Sequence, residues 1–155
     1  MRLSKFLRAE LIEPDLILTE KDEVLEHLVQ LAMPCIKTEC AAEGTQVLTA
    51  LREREGVTST GIGNGVAIPH AKVEGLSRMS LVFAKSTRGV NFQALDDAPV
   101  YLIFMVIAPP STISDYLKLL AAISAFVKNE KSRAALMRAG TKAEILAAIK
   151  AGEAS

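Results

Sequence analysis

Apolar residues recur at helical spacing early in the chain: Val24, Leu25, Leu28, Val29, Leu31 and Ala32 fall three and four apart. Thr19-Glu20-Lys21-Asp22 precedes them with the form of a capping box. Pro34 is expected to end this helix, because proline lacks the N–H that the next turn requires. A second helix is predicted over about residues 41–55, with Val47, Leu48 and Leu51 inward and Gly56 as its terminator. Before both helices, residues 11–18 contain Pro14 and read as an irregular or short extended lead-in.

The pattern then changes period. Residues 66–68 form a short β-branched apolar run, residues 79–85 read as a second strand, and 90–92 as a short extended piece. Residues 100–108 are apolar almost without interruption, so that strand is expected to be buried on both faces at the centre of a sheet. Pro109-Pro110-Ser111 opens a long helix to about residue 128, with Ile113, Leu117, Leu120, Ser124 and Val127 as its inward stripe. Helices over about 131–139 and 141–151 follow, the last started by a capping box from Thr141 to Glu144 and stopped at Gly152. Helices around a central group of strands make a layered α/β or α+β fold, taken as one domain over residues 1–155. The strand order stays open at this level.

Composition narrows the function classes. Eighteen basic residues balance eighteen acidic ones, so charge gives no argument for nucleic acid or a membrane surface. No apolar run is long enough to span a bilayer, and Arg2, Lys5, Arg8 and Glu10 break any leader-like N-terminus, which makes the cytoplasm the expected location. Cys35 and Cys40 lie five positions apart with no second pair to complete a metal site, and read as reduced structural thiols. No metal or cofactor is expected.

Candidate chemistry concentrates in Ser59-Thr60-Gly61-Ile62-Gly63-Asn64-Gly65-Val66-Ala67-Ile68-Pro69-His70. Three glycines in five positions open the backbone, and Pro69 stiffens the approach to one of only two histidines, presented at the end of the expected strand. A neutral imidazole suits reversible phosphoryl or proton transfer, so His70 is the leading candidate. Arg54 sits just before the loop, where a guanidinium could fork onto an anion near His70 or merely complement a helix C-terminus, as Arg52 does. Tyr116 lies in the first turns of the long helix, as a core tyrosine or as a neighbour of an anion. His27 shares a face with Glu23 and Gln30 and reads as a solvated surface histidine. The G-x-G-x-G pattern of Gly61–Gly65 lacks the lysine and hydroxyl of a P-loop and the spacing of a dinucleotide fingerprint, and no nucleophile elbow is present.

Leu51-Arg52-Glu53-Arg54-Glu55, followed by the segment that ends at His70, resembles the active-site signature of type-2 IIA domains, the fructose/mannitol-type components of the phosphoenolpyruvate-dependent phosphotransferase system. The region from Pro110 to Phe126 is also similar. The resemblance implies a mixed β-sheet flanked by helices on both faces, with His70 accepting a phosphoryl group from an HPr-like or NPr-like phosphocarrier protein. Arg54, Tyr116, Asn64 and Gly65 would bind the phosphoryl group, through the guanidinium, the phenol and the backbone of the glycine loop. A chain without attached IIB or IIC domains is similar to the nitrogen-related branch, whose partners include sensor kinases and potassium-transport proteins. One departure stands out: many members carry a second histidine where this chain has Tyr116, in Tyr116-Leu117-Lys118-Leu119-Leu120. Two other readings compete with a regulatory phosphocarrier. One is a binding module indifferent to phosphorylation, and the other is a sugar-uptake IIA acting in trans with a separate IIB.

Overall fold

The computed structural model describes residues 1–36 and 41–154, and in it the apolar run over 100–108 is the hub of a six-stranded mixed sheet. In chain order the strands are β1 (Ile12–Glu13), β2 (Gly61–Gly63), β3 (Val66–Ala67), β4 (His70–Lys72), β5 (Ser80–Val90) and β6 (Val100–Ala108). The helices are α1 (Lys21–Ile36), α2 (Gly44–Val57), α3 (Ile113–Lys128), α4 (Glu130–Arg138) and α5 (Lys142–Ala154). On one side of β6, β5 runs antiparallel, from Ser80 opposite Ile107 to Val90 opposite Val100, and β1 lies parallel beyond it. On the other side, β3 and then β4 run parallel to β6, with Val66 opposite Leu102 and His70 opposite Val106 in one continuous register.

Alternation along the strands divides the core into two layers, because successive side chains leave a strand on opposite faces. Val82, Ala84, Ile103, Met105 and Ile107 pack with Val24, Leu25, Leu28, Val47 and Leu51 of α1 and α2. Leu81, Phe83, Leu102, Phe104 and Val106 pack with Leu119, Ile123, Leu136, Ile145 and Ile149 of α3, α4 and α5. Helices therefore cover both faces, as expected for the fold class. The second layer carries an aromatic row, Phe83 to Phe104 at 4.9 Å and Phe104 to Phe126 at 6.3 Å between ring centroids. Lys85 is also buried there, and its Nζ donates to the carbonyls of Met137 and Ala139 at the end of α4, where a cation complements the helix dipole.

Several local expectations give way to tertiary context. Helix α1 continues through Pro34 to Ile36, because Ile36 is buried in the first core layer and Gln30, whose carbonyl loses its partner, is exposed to water. It starts at Lys21, with the Val24 N–H bonded to the Glu20 carbonyl; Thr19 instead gives its carbonyl to the Asn91 N–H and is not the cap. Gly56 does not stop α2, which runs to Val57 before Thr58 turns extended. In α3 the inward stripe is Tyr116, Leu119, Ile123, Phe126 and Val127, while Ile113 and Leu117 are 42% and 58% exposed. That helix is apolar over most of its circumference, so spacing alone supports two faces. Gly152 does not end α5. It lies where a Cβ would come within 2.9 Å of Ser132 Oγ and closer still to the Phe126 ring, so it is a packing notch. Strand β5 extends past 85 to Val90, with an irregularity between Lys85 and Val90. It so takes in the first residue of the expected piece at 90–92, while Asn91 forms an isolated parallel bridge with Glu20 and Phe92 lies outside any strand.

The capping box at Thr141 does form: the Glu144 N–H donates to Thr141 Oγ1, and Glu144 accepts from that hydroxyl and from the Gly140 N–H. His27 is half-buried and bonded to Glu13 at 2.8 Å, so it is a bridging residue and not simply a solvated one. Arg52 reaches Asp22 and Glu26 of α1, at 3.7 and 3.9 Å, in place of its own helix end. Cys35 is a half-buried free thiol, and Cys40 lies outside the described residues.

Candidate functional site

The glycine segment is a hairpin, not a phosphate-type loop. Strands β2 and β3 pair antiparallel, and Asn64 and Gly65 between them both have positive φ, 57° and 73°. Two successive left-handed residues make the tight turn that matches strand twist, and Asn-Gly is the pair that tolerates it best. Gly65 has a further reason to lack a side chain, since a Cβ there would lie 3.2 Å from the Tyr101 ring.

After β3 the strand is interrupted at Ile68-Pro69, where proline can supply no ladder N–H. The Pro69 carbonyl still accepts the Val106 N–H at 2.9 Å, and the chain resumes its register as β4. His70 therefore begins a separate short strand, where the sequence had placed it at the end of one. It lies opposite Val106, near the carboxyl end of β6, just before the chain turns through Pro109 and Pro110 into α3. In sheets with parallel strands that end is the usual place for ligands.

The imidazole is half-buried, and its Nδ1 lies 2.7 Å from the Ile68 carbonyl oxygen. A carbonyl only accepts, so in the neutral ring Nδ1 carries the proton and Nε2 keeps its lone pair. Burial lowers the His70 pKa from its ordinary 6.5, the Ile68 carbonyl works against that shift, the Arg54 charge adds to it and the Glu55 charge opposes it. The net direction keeps the ring neutral near pH 7.

Tyr116 meets this ring edge-on, with centroids 5.9 Å apart and planes at 60°. Its phenol is pushed up to about 12, chiefly by burial, with the Arg54 charge acting in the opposite direction. Tyr116 is thus a neutral side chain, both packed in the core and in contact with the histidine. Arg54, in the last turn of α2, anchors its Nη1 on the Thr58 carbonyl at 2.9 Å. Its charge acts on both His70 and Tyr116. The structure brings these three together.

Asn64 and Gly65 are elsewhere. Gly65 bonds to the N–H groups of Tyr101 and Leu102, while His70 pairs four residues further along β6, at Val106. At the rise of a strand that is about 13 Å, too far for the turn's amides to reach a group on the imidazole.

Sequence reasoning passed over Glu55, which is buried and accepts from Lys21 Nζ at 3.0 Å and from both the N–H and the hydroxyl of Thr60. A signal existed: Glu55 follows Leu51 by four and Val47 by eight, which places it on the inward stripe of α2. Among the described residues no three His, Cys, Asp or Glu side chains gather as a metal site.

Comparison with known proteins places these features in context. The family described as phosphoenolpyruvate-dependent sugar phosphotransferase system, EIIA 2, matches residues 5–152. A fructose-specific EIIA component from Haloferax volcanii is 37% identical over 79% of this chain and 77% of its own length. A nitrogen regulatory protein from Bradyrhizobium diazoefficiens is 31% identical over 84% of this chain and 82% of its own. Among solved structures, the nitrogen regulatory protein IIA-Ntr from Neisseria meningitidis superposes with a TM-score of 0.87 at 27% identity, covering 95% of this chain and 98% of that one. IIA mannitol from Escherichia coli shares the fold, with a TM-score of 0.76 at 21% identity over 92% and 98% of the two chains.

Proposed function

We propose that this chain, which belongs to the EIIA type-2 family of the phosphoenolpyruvate-dependent sugar phosphotransferase system, takes its phosphoryl group on Nε2 of His70. Members of that family are phosphoryl carriers. The observation that carries the assignment is the bond from Nδ1 to Ile68, which leaves Nε2 as the nucleophilic nitrogen of a ring on which the Arg54 charge acts.

The transfer needs in-line placement and stabilisation of anionic oxygens more than covalent help from the protein. The Nε2 lone pair attacks phosphorus, the P–Nε2 bond forms as the donor's P–N bond breaks, and the ring keeps its Nδ1 proton against Ile68. Arg54 supplies the fixed positive charge. The start of α3, with Tyr116 in its first turns, adds outward-pointing N–H groups. Tyr116 contributes a neutral phenol where many relatives have a titrating histidine, so the site depends more heavily on Arg54.

The donor we propose is an HPr-like or NPr-like phosphocarrier. Ile113 and Leu117, 42% and 58% exposed on the helix that carries Tyr116, are large apolar side chains suited to an apolar partner surface. Among the described residues no helix is long and apolar enough to cross a membrane, and we place the protein in the cytoplasm as one domain. A regulatory output, through a sensor kinase or potassium-transport protein that distinguishes the two phosphorylation states, is favoured by the likeness to nitrogen regulatory proteins. The fructose-specific relative supports a second reading, delivery to the cysteine of a separate IIB.

The test is incubation with phosphoenolpyruvate, Enzyme I and the phosphocarrier, which should put acid-labile phosphate on the wild type and none on His70→Ala. Label that persists in His70→Ala overturns the acceptor assignment. Passage of label to a IIB cysteine selects the sugar branch. Binding to kinase or transporter that is the same for phosphorylated protein and for His70→Ala selects a phosphorylation-independent module.

A further inference from the structure

We infer that Lys21, Glu55 and Thr60 form a buried positioning relay that holds the His70 imidazole with Nε2 free to accept the phosphoryl group. The inference rests on the proposed acceptor role of His70. Lys21 lies outside the segment that carries the resemblance, Glu55 and Thr60 lie inside it with no role assigned to them, and together they tie α1, α2 and the start of the hairpin to the ring.

The chain of bonds is continuous. Lys21 Nζ, from the first turn of α1, donates to Glu55 Oε2 at 3.0 Å, and the two side chains are only 13% and 5% exposed. Glu55 accepts from the Thr60 N–H at 3.2 Å and from the Thr60 hydroxyl. The Thr60 carbonyl accepts the Ile68 N–H at 3.0 Å. The Ile68 carbonyl accepts from His70 Nδ1 at 2.7 Å. The ladder to β6 runs through the neighbouring Pro69 carbonyl, which accepts the Val106 N–H at 2.9 Å, and the Ile68 carbonyl serves the ring.

The relay acts by placement. Each bond uses a different peptide group, so no polarisation runs through it. What passes along is position: Glu55 pins Thr60, Thr60 pins Ile68, and Ile68 fixes the imidazole's tautomer and angle.

A stability role does not account for this arrangement. A buried ion pair contributes little net stability once desolvation is counted, and apolar residues of similar volume could fill the same space. Apolar residues cannot provide a directional acceptor for both the N–H and the hydroxyl of Thr60. The Lys21 ammonium also sits 4.9 Å from the centroid of the Phe92 ring, so it is held from a second side. Ser59 extends the clamp, donating to the Phe92 carbonyl at 3.1 Å and accepting the Gly61 N–H at 3.1 Å. The hinge between α2 and the hairpin is thus fixed at successive residues immediately before the segment that carries His70.

The experiment reads the ring itself. Nitrogen-15 spectra of His-labelled, unphosphorylated protein report which imidazole nitrogen bears the proton, and labelling kinetics report the rate of phosphorylation. The His70 signals, told apart from those of His27 by their loss in His70→Ala, should show a single neutral tautomer protonated on Nδ1 in the wild type. In Thr60→Val and in Glu55→Gln the tautomer protonated on Nε2 should appear, and the rate should fall by about tenfold to a hundredfold, the range expected for a misplaced reacting group. Thr60→Ser keeps the hydroxyl and should recover both signatures. A merely structural role lowers the melting temperature without moving the ring nitrogens. Folded Thr60→Val and Glu55→Gln proteins with wild-type nitrogen shifts and wild-type rates overturn the relay. If Glu55→Gln does not fold, the pair Thr60→Val and Thr60→Ser decides alone. If wild type takes no label, the acceptor reading fails, while the ring-nitrogen shifts still decide the relay.

Discussion

Replacing Arg54 by glutamine removes the one fixed charge that acts on both rings of the site. The side chain is half-exposed, and its Nη1 is anchored on the Thr58 carbonyl at 2.9 Å, so the guanidinium is pre-set but partly in water. A hydrogen bond to a charged group is worth about 1.5–3 kcal/mol, and solvent access argues for the lower end. At about 1.4 kcal/mol per decade, Arg54→Gln should slow phosphorylation of His70 roughly tenfold. Arg54→Lys keeps the charge and loses the planar fork, so about a threefold loss is expected, half of that free energy. Rapid-quench kinetics with a phosphorylated HPr-like donor measures both. A second readout is independent of transfer. Arg54 helps to lower the His70 pKa, so an NMR titration of Arg54→Gln should find that pKa higher than in wild type, with burial still holding it below its ordinary value. A rate within twofold of wild type, together with a His70 pKa unchanged or lower, would refute the placement of Arg54 at the site.

Two further outcomes concern the frame around it. Gly152→Ala gains about 1 kcal/mol of helix propensity but drives a methyl group into Phe126 and Ser132, an overpacking that costs about 1–3 kcal/mol. A net loss near 1 kcal/mol should lower the melting temperature by about 2–4 °C, whereas Gly140→Ala, with nothing within 4 Å of the added atom, should be neutral or slightly stabilising. In an ultraviolet titration, one phenol should ionise near pH 12, and Tyr116→Phe should abolish that step. Because the fold favours the neutral phenol, this contribution to stability is intact below the ordinary pKa of about 10 and is lost as the pH rises through about 12.

Local signals carried far where they were unambiguous. The run over 100–108 is strand β6 within the same bounds, since an unbroken apolar stretch of that length between turn residues fits little else. All five helices form, and Thr141 caps the last as its spacing implied. The Asn64-Gly65 turn was also legible, but it was read as part of a phosphate cradle. Its hairpin meaning, two left-handed residues joining short strands, was the better use of the same pair. The face of α3 was not legible: its apolar residues satisfy two stripes, and only the strand residues facing it select Tyr116 over Ile113 and Leu117.

By itself the sequence determined the backbone vocabulary and singled out His70 and Arg54 as the candidate pair, because turn chemistry, helix period and the segment from Leu51 to His70 depend on neighbours in the chain. Tertiary structure alone decided that Tyr116 lies against His70, that the hairpin turn lies away from it, and that Lys21, Glu55 and Thr60 meet beneath it. Those outcomes depend on which strand pairs with which and in what register. Contacts between distant segments are settled by the whole core packing at once, and no window of sequence contains that sum.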